Sequence, residues 1–308
     1  MRKTCLNAVH TLAKQDPRVL FIGSDLGAGT LDAFKAEFPE RFFMEGVSEQ
    51  NVIGMAAGLA MEGFIPYVNT IATFLTRRCY EQVAIDLCLH NLPVRLIGNG
   101  GGLVYAPLGP THIAIEDMAL MRALPNMTVL APADAHEMAR LMTQTLDWPG
   151  PIYIRLAKGN DPIVSRPEDP CVIGQGTLLR QWGQVALMAC GVMVHRALQV
   201  ADILAEEGIV CSVLNLHTVK PLDKTAVLFL TAQAKMVVTL EEHSRIGGLG
   251  SAVTDAINHG MRANHPPILR FALPDAFTET YGSQNAQLQA LDLTPEAMAQ
   301  RIRLSMPE

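Results

Sequence analysis

One carboxylate, Glu49, stands in Gly46-Val-Ser-Glu-Gln-Asn51 between a strand-like apolar segment and the small-residue run of residues 52–60. Burial at such a junction removes hydration, favours the neutral acid and raises its pKa toward the range useful for giving a proton. A first-turn glutamate also complements the positive end of a helix, so its neighbours must decide between the two roles. Phe74, in Thr70-Ile-Ala-Thr-Phe-Leu75, follows a strand and falls at its carboxyl end, where open parallel sheets place ligands. An aromatic side chain there can stack on a flat ring or simply pack into the core. His112, in Gly109-Pro-Thr-His112, can exchange protons near neutral pH, or be a solvated loop residue. The preceding loop, Gly98-Asn-Gly-Gly-Gly102, opens no G-x-G-x-x-G helix and is not a P-loop, so its glycines suit an irregular backbone beside a ligand. Arg2 and Lys158 are candidates for binding an anionic substrate group, although either alone is also explained by a solvated surface. Glu241-Glu-His243 lacks the H-x-x-H or H-x-x-x-H partners of a metal cluster, so no metal held by this chain is expected.

The elements that must position these residues alternate regularly. Short β-branched runs at Val19–Gly23, Phe64–Asn69, Val94–Gly98, Met127–Ala131 and Ile152–Arg155 suit strands buried on both faces. Amphipathic stretches at Cys79–His90 and Asp134–Leu146 lie between them, the second opened by Asp134 as a cap. Residues 158–170 turn polar and proline-rich. Beyond them come strands at Val185–Cys190, Val210–Leu214, Met236–Leu240 and Ile268–Ala272, with a helix over 194–207 and another after Gly247-Gly-Leu-Gly250. The pattern predicts an α/β protein of two doubly wound domains with mostly parallel sheets, over residues 1–160 and 181–308, joined by a linker at 161–180.

Bulk properties narrow the function. With 308 residues, net charge −6 and no basic run beyond pairs such as Arg77-Arg78, the chain carries no footprint for nucleic acid. Its six cysteines form no C-x-x-C pair and read as reduced core thiols. Asn7 and His10 interrupt the first apolar run before a signal-peptide core can form, and no run of about twenty apolar residues exists, so a cytoplasmic protein without a membrane span is expected.

In order and spacing, Arg2-Lys-Thr-Cys-Leu-Asn-Ala8, Gly23-Ser-Asp-Leu26, Gly46-Val-Ser-Glu-Gln-Asn51, Gly54-Met-Ala-Ala-Gly-Leu59, Pro66-Tyr67, Phe74, Gly109-Pro-Thr-His112, Thr239-Leu-Glu-Glu-His243 and Gly247-Gly-Leu-Gly-Ser251 resemble the carboxy-terminal half of transketolase. The wider group of thiamine-diphosphate enzymes, deoxyxylulose-phosphate synthase among them, is similar. The resemblance implies a pyrimidine-binding domain followed by a transketolase C-terminal domain. It makes Glu49 the acid that hydrogen-bonds N1′ of the aminopyrimidine of thiamine diphosphate and promotes loss of the thiazolium C2 proton. It makes Phe74 the stacking aromatic and His112 a catalytic histidine facing substrate oxygens. Asp25 becomes part of the cofactor wall, and Arg2 and Lys158 bind substrate phosphate.

The Gly-Asp-Gly…Asn segment that holds magnesium and diphosphate in this family does not occur in the sequence. The resemblance therefore implies one subunit of a split transketolase, partnered by an amino-terminal chain carrying Mg2+ and the diphosphate in an α2β2 heterotetramer. The activity implied is transfer of a two-carbon ketol unit between sugar phosphates. Leu108, Gly29 and Asn99 or Gly100 replace family groups that contact common substrates, which shifts the expected sugar. The alternatives are the beta subunit of a 2-oxo acid dehydrogenase, against which Gly109-Pro-Thr-His112 speaks, and a non-catalytic partner-binding subunit.

Overall fold

The computed structural model describes residues 1–24, 31–157, 159, 161–261 and 264–307. Its first part runs α1 (Arg2–Gln15), β1 (Val19–Ser24), α2 (Asp32–Glu37), β2 (Phe42–Glu45), α3 (Glu49–Met61), β3 (Ile65–Ile71), α4 (Tyr80–Gln82), β4 (Arg95–Asn99), α5 (Asp117–Ala123), β5 (Thr128–Leu130), α6 (Ala135–Thr145) and β6 (Ile152–Leu156). The second part runs β7 (Thr177–Arg180), β8 (Val185–Ala189), α7 (Met193–Glu206), β9 (Cys211–Asn215), β10 (Thr218–Lys220), α8 (Lys224–Thr231), β11 (Met236–Ser244), α9 (Leu249–Met261), β12 (Ile268–Leu273), α10 (Gln284–Ala290) and α11 (Pro295–Ser305). Two sheets result, ordered β10-β5-β6-β4-β3-β1-β2 and β12-β11-β8-β9-β7. Among the described residues only β10 with β5 and β7 with β9 pair antiparallel, so both layers are mostly parallel α/β sheets, as the alternation predicts.

The apolar runs form these strands because helices cover both faces. Every residue of β1, β4, β6, β8 and β9 is buried. The helix over 135–145 starts where Asp134 accepts from the backbone N–H of His136 at 2.8 Å and of Glu137 at 2.9 Å.

Three features differ from the sequence reading. The amphipathic stretch after β3 is not a plain α-helix: α4 is one short turn between π-helical turns at Phe74–Arg78 and Val83–Leu89. β11 runs on through Ser244, which places Glu241, Glu242 and His243 inside a fully buried strand. β10, from beyond the expected linker, adds to the first sheet rather than the second.

The polar segment after β6 is strapped to α6. Asp134 accepts from the N–H of Val164 and Ser165, Arg140 donates to the carbonyl of Asp169 at 2.7 Å, and the carboxamide of Gln144 bonds Cys171 and Ile173. Its prolines and lack of periodicity give it no ladder of its own, so side chains of α6 satisfy its backbone.

Candidate functional site

β2 ends at Glu45, and three residues later the chain enters α3 with Glu49 at its first position. Val52, Ile53, Ala56, Ala57 and Ala60 turn the buried face of α3 onto the sheet, and this carries Glu49 inward to 1% exposure. Its Oε1 lies 3.5 Å from the Ser24 hydroxyl, which donates to the Gly46 carbonyl at 3.0 Å. Its Oε2 accepts from Nη1 of Arg78 at 2.7 Å.

Arg78 belongs to the π-helical turn that starts at Phe74, just beyond β3. Wider turns of this kind displace side chains from α register and recur at functional sites. Here the turn places the Arg78 guanidinium over Phe74, with Cζ 4.1 Å from the ring centroid. A second neighbour of Phe74 is His112, in a T-shaped arrangement at 5.5 Å and 64°. Glu49, Phe74 and His112, distant in sequence, thus converge, and Arg78 joins the first two.

The loop of His112 is held by Arg77. Its Nη2 donates to the Thr111 carbonyl at 3.1 Å, and its Nε pairs with Glu116 at 3.1 Å. Thr111 Oγ1 lies 2.8 Å from His112 Nδ1, which leaves Nε2 as the ring's other polar edge. An open cavity of about 330 Å³ beside Arg77 and Glu116 is lined on its other side by Pro274 and Phe277, which follow β12. At the carboxyl ends of β3 and β4, Asn99 donates to Asn69 at 3.0 Å. Asn69 Nδ2, Thr70 Oγ1, Thr73 Oγ1 and Asn99 Oδ1 are buried with no partner among the described residues. Polar atoms buried this way point to a ligand or water that completes them.

Arg2 lies half-buried at the start of α1, and no described contact links it to Glu49, Phe74 or His112. Asp25, Gly29 and Lys158 lie outside the described residues. The glycine loop is shaped by protein rather than by open space. A Cβ on Gly101 would meet Arg155 at 2.5 Å, and one on Gly102, where φ is +69°, would meet Glu242 Oε1 at 2.3 Å.

Glu241-Glu-His243 works as a fastener. Glu241 accepts from the N–H of Leu249 and Gly250 at the start of α9, and Glu242 from the N–H of Leu103 at 2.6 Å. His243 Nε2 accepts from Ala119 N–H at 3.2 Å. Arg155 pairs with Asp117 at 2.8 Å and donates to the Glu242 carbonyl, tying the first sheet's helices to β11. Burial pushes the Glu241 carboxyl up to about 7 and the His243 imidazole down to about 4.

Arg77 and Arg78 are the site residues that sequence reasoning missed. In sequence the doublet reads only as a short charge run, whereas the four-residue spacing from Phe74 to Arg78 brings the guanidinium over the ring.

Residues 1–162 match the transketolase pyrimidine-binding domain family, and residues 174–298 the transketolase C-terminal domain family. Similar curated proteins include 1-deoxy-D-xylulose-5-phosphate synthases of a Synechococcus species, 38% identical over 302 residues, and of Crocosphaera subtropica, 38% over 307. These alignments cover 96% and 98% of this chain but 46% and 47% of the relatives, so the chain spans about half their length. Among solved structures, a split-gene transketolase described as an inactive beta4 tetramer superposes with a TM-score of 0.90 at 34% identity, over 99% of this chain and 97% of that one. A Pichia stipitis transketolase variant shares the fold, with a TM-score of 0.80 at 21% identity over 99% of this chain and 45% of that one.

Proposed function

The chain belongs to the transketolase family, as a pyrimidine-binding domain followed by a C-terminal domain, and we propose that it is the C-terminal subunit of a split, thiamine-diphosphate-dependent transketolase. The observation that carries this reading is the convergence of a buried carboxylate, an aromatic face and a histidine: Glu49, Phe74 and His112. These residues fit an aminopyrimidine. Glu49 offers an edge-on hydrogen-bonding group, Phe74 a flat face, and Asn69, Thr70, Thr73 and Asn99 offer buried polar atoms in need of partners.

Bound thiamine diphosphate would supply a thiazolium carbon able to add to a ketose carbonyl. Glu49 then holds a proton at the pyrimidine ring nitrogen, and the apolar wall of α3 keeps water from that proton. Phe74 fixes the plane of the ring, while His112 presents its free edge to substrate oxygens from a loop that Arg77 steadies. Arg78 must give up both Glu49 and the Phe74 face before the ring can enter.

The diphosphate and Mg2+ are assigned to a separate amino-terminal chain in an α2β2 assembly. Support comes from the similarity to a split-gene structure over almost its whole length. It also comes from an exposed apolar rim around α3 formed by Met44, Val47, Met61, Ile85 and Leu89. Sugar phosphates are the proposed substrates, with Arg2, Lys158 and His112 binding them and Asp25 beside the cofactor.

A second reading has its own support: relatives at 38% identity are named as synthases of 1-deoxy-D-xylulose 5-phosphate. Reconstitution with the partner chain and a panel of ketose phosphates, pyruvate and aldehydes separates the two. Ketol transfer without release of carbon dioxide supports transketolase. Carbon dioxide release with formation of 1-deoxy-D-xylulose 5-phosphate supports the synthase and overturns the proposal. Replacing Glu49 with Gln is expected to leave assembly intact and slow turnover by about 100-fold or more, because the proton relay is lost.

A further inference from the structure

Away from Glu49, three segments bring donors of different chemistry together. A carboxylate oxygen of Glu137, the sulfur of Cys171 and a ring nitrogen of His217 all lie within 4.8 Å of one another. Glu137 is in the first turn of α6, Cys171 is in the strap that runs along α6, and His217 lies between β9 and β10. Glu137 and His217 are 1% and 0% exposed, and Cys171 is half-buried.

Glu137 and His217 are oriented from outside the cluster, while the Cys171 thiol donates to the Glu137 carbonyl at 3.8 Å. Glu137 accepts from Asn215 Nδ2 at 2.6 Å and from the N–H of Ala133 at 2.7 Å. His217 Nδ1 lies 3.0 Å from Thr218 Oγ1, which accepts from the N–H of Gly174. His217 Nε2, by contrast, has no hydrogen-bond partner among the described residues, nor has Asn215 Oδ1. A buried nitrogen left this way has lost its water and gained no partner, so a group that completes it is stabilised there.

We propose that Glu137, Cys171 and His217 form a binding site for a divalent cation of the zinc class, which fastens the strap and the β9–β10 connection to α6. One nitrogen, one sulfur and one oxygen donor suit a borderline-soft tetrahedral ion, whereas calcium and magnesium need more oxygens. A thiolate and a carboxylate together neutralise the two charges, and both protons leave to solvent as the ion enters. Tetrahedral ligands about such an ion stand roughly 3.5 Å apart, so donors within 4.8 Å of one another need to close by no more than about 1.3 Å. Asn215, Ala133 and Thr218 supply the outer hydrogen bonds that orient metal ligands. Burial keeps the imidazole neutral, with its pKa pushed down to about 4. The guanidinium of Arg140, on the same helix, opposes a cation, and the carboxylate of Asp134 favours one.

Titrating the purified full-length chain with Co2+, followed by displacement with Zn2+, tests the site independently of any enzymatic activity. One equivalent is expected to bind with near-ultraviolet sulfur-to-cobalt absorption, and Zn2+ is expected to raise the melting temperature. Cys171→Ser and His217→Gln, with folding checked by circular dichroism, should each lose that absorption and weaken binding at least about tenfold. Glu49→Gln should keep both. Absence of saturable uptake by the wild type, or absorption unchanged in Cys171→Ser, overturns the proposal and leaves His217 Nε2 to a buried water.

Discussion

Replacing Arg78 with Gln should destabilise the chain and at the same time tighten its hold on the cofactor. The guanidinium makes the two contacts assigned above to the proposed aminopyrimidine, one to Glu49 at 2.7 Å and one to the Phe74 ring at 4.1 Å. Removing one member of a fully buried ion pair costs about 3–5 kcal/mol. Glu49 is 1% exposed but the Arg78 side chain is 38% exposed, so water screens part of the interaction. Discounted toward the value for exposed pairs, the loss is about 1–3 kcal/mol. For folding units of this size that lowers the melting temperature by about 2–12 °C. In the assembled enzyme, the same competition no longer has to be overcome. An advantage of about 1.4 kcal/mol is a factor of ten in thiamine diphosphate affinity. Thermal melting of the chain alone and calorimetric titration of the two-chain complex read the two effects separately. Their opposite signs are the signature. If Arg78→Gln weakens cofactor binding as well as lowering stability, Arg78 holds the site open rather than occupying it, and the reasoning is refuted.

Gly102→Ala should cost about 2–4 kcal/mol, since a left-handed backbone and the Glu242 carboxylate both exclude a Cβ, and the urea midpoint should fall accordingly. Arg155→Leu leaves the buried Asp117 without its ion-pair partner, hydrogen-bonded by the Tyr153 hydroxyl, and should cost about 3–5 kcal/mol; loss of cooperative unfolding would show the two sheets parting. His243 is held near pKa 4 against an ordinary 6.5 by burial, so its stabilisation is present above 6.5 and is lost as pH falls toward 4. Glu241, raised from 4.5 to about 7 by burial, acts in the opposite sense: its contribution is complete below 4.5 and lost as pH rises through 7. His243→Gln should therefore lose less melting temperature than wild type between pH 7 and 5, and an unchanged slope would contradict this assignment.

Much of the scaffold was written in local pattern. Runs such as Val19–Gly23 and Val94–Gly98 are apolar without alternation because both faces of β1 and β4 are covered, and the capping position of Asp134 marks the start of α6. The stretch after β3 was less legible, because amphipathic spacing does not distinguish α from π turns; the difference is set by packing against α3 and α5. The segment Glu241–His243 looked like a chemical cluster because its residue types are reactive. Burial in β11 shows each side chain occupied with a backbone partner.

By itself the sequence determined the order of elements, the mostly parallel layers and the presence of Glu49, Phe74 and His112 at strand and helix ends, since hydrophobic period and end signals are local properties of the chain. Only the tertiary structure decided which of these residues meet. Arg78 stands between Glu49 and Phe74, and His217 reaches Glu137 across 80 positions of chain, because such contacts depend on how β3, α3 and the β9–β10 connection pack rather than on spacing along the chain.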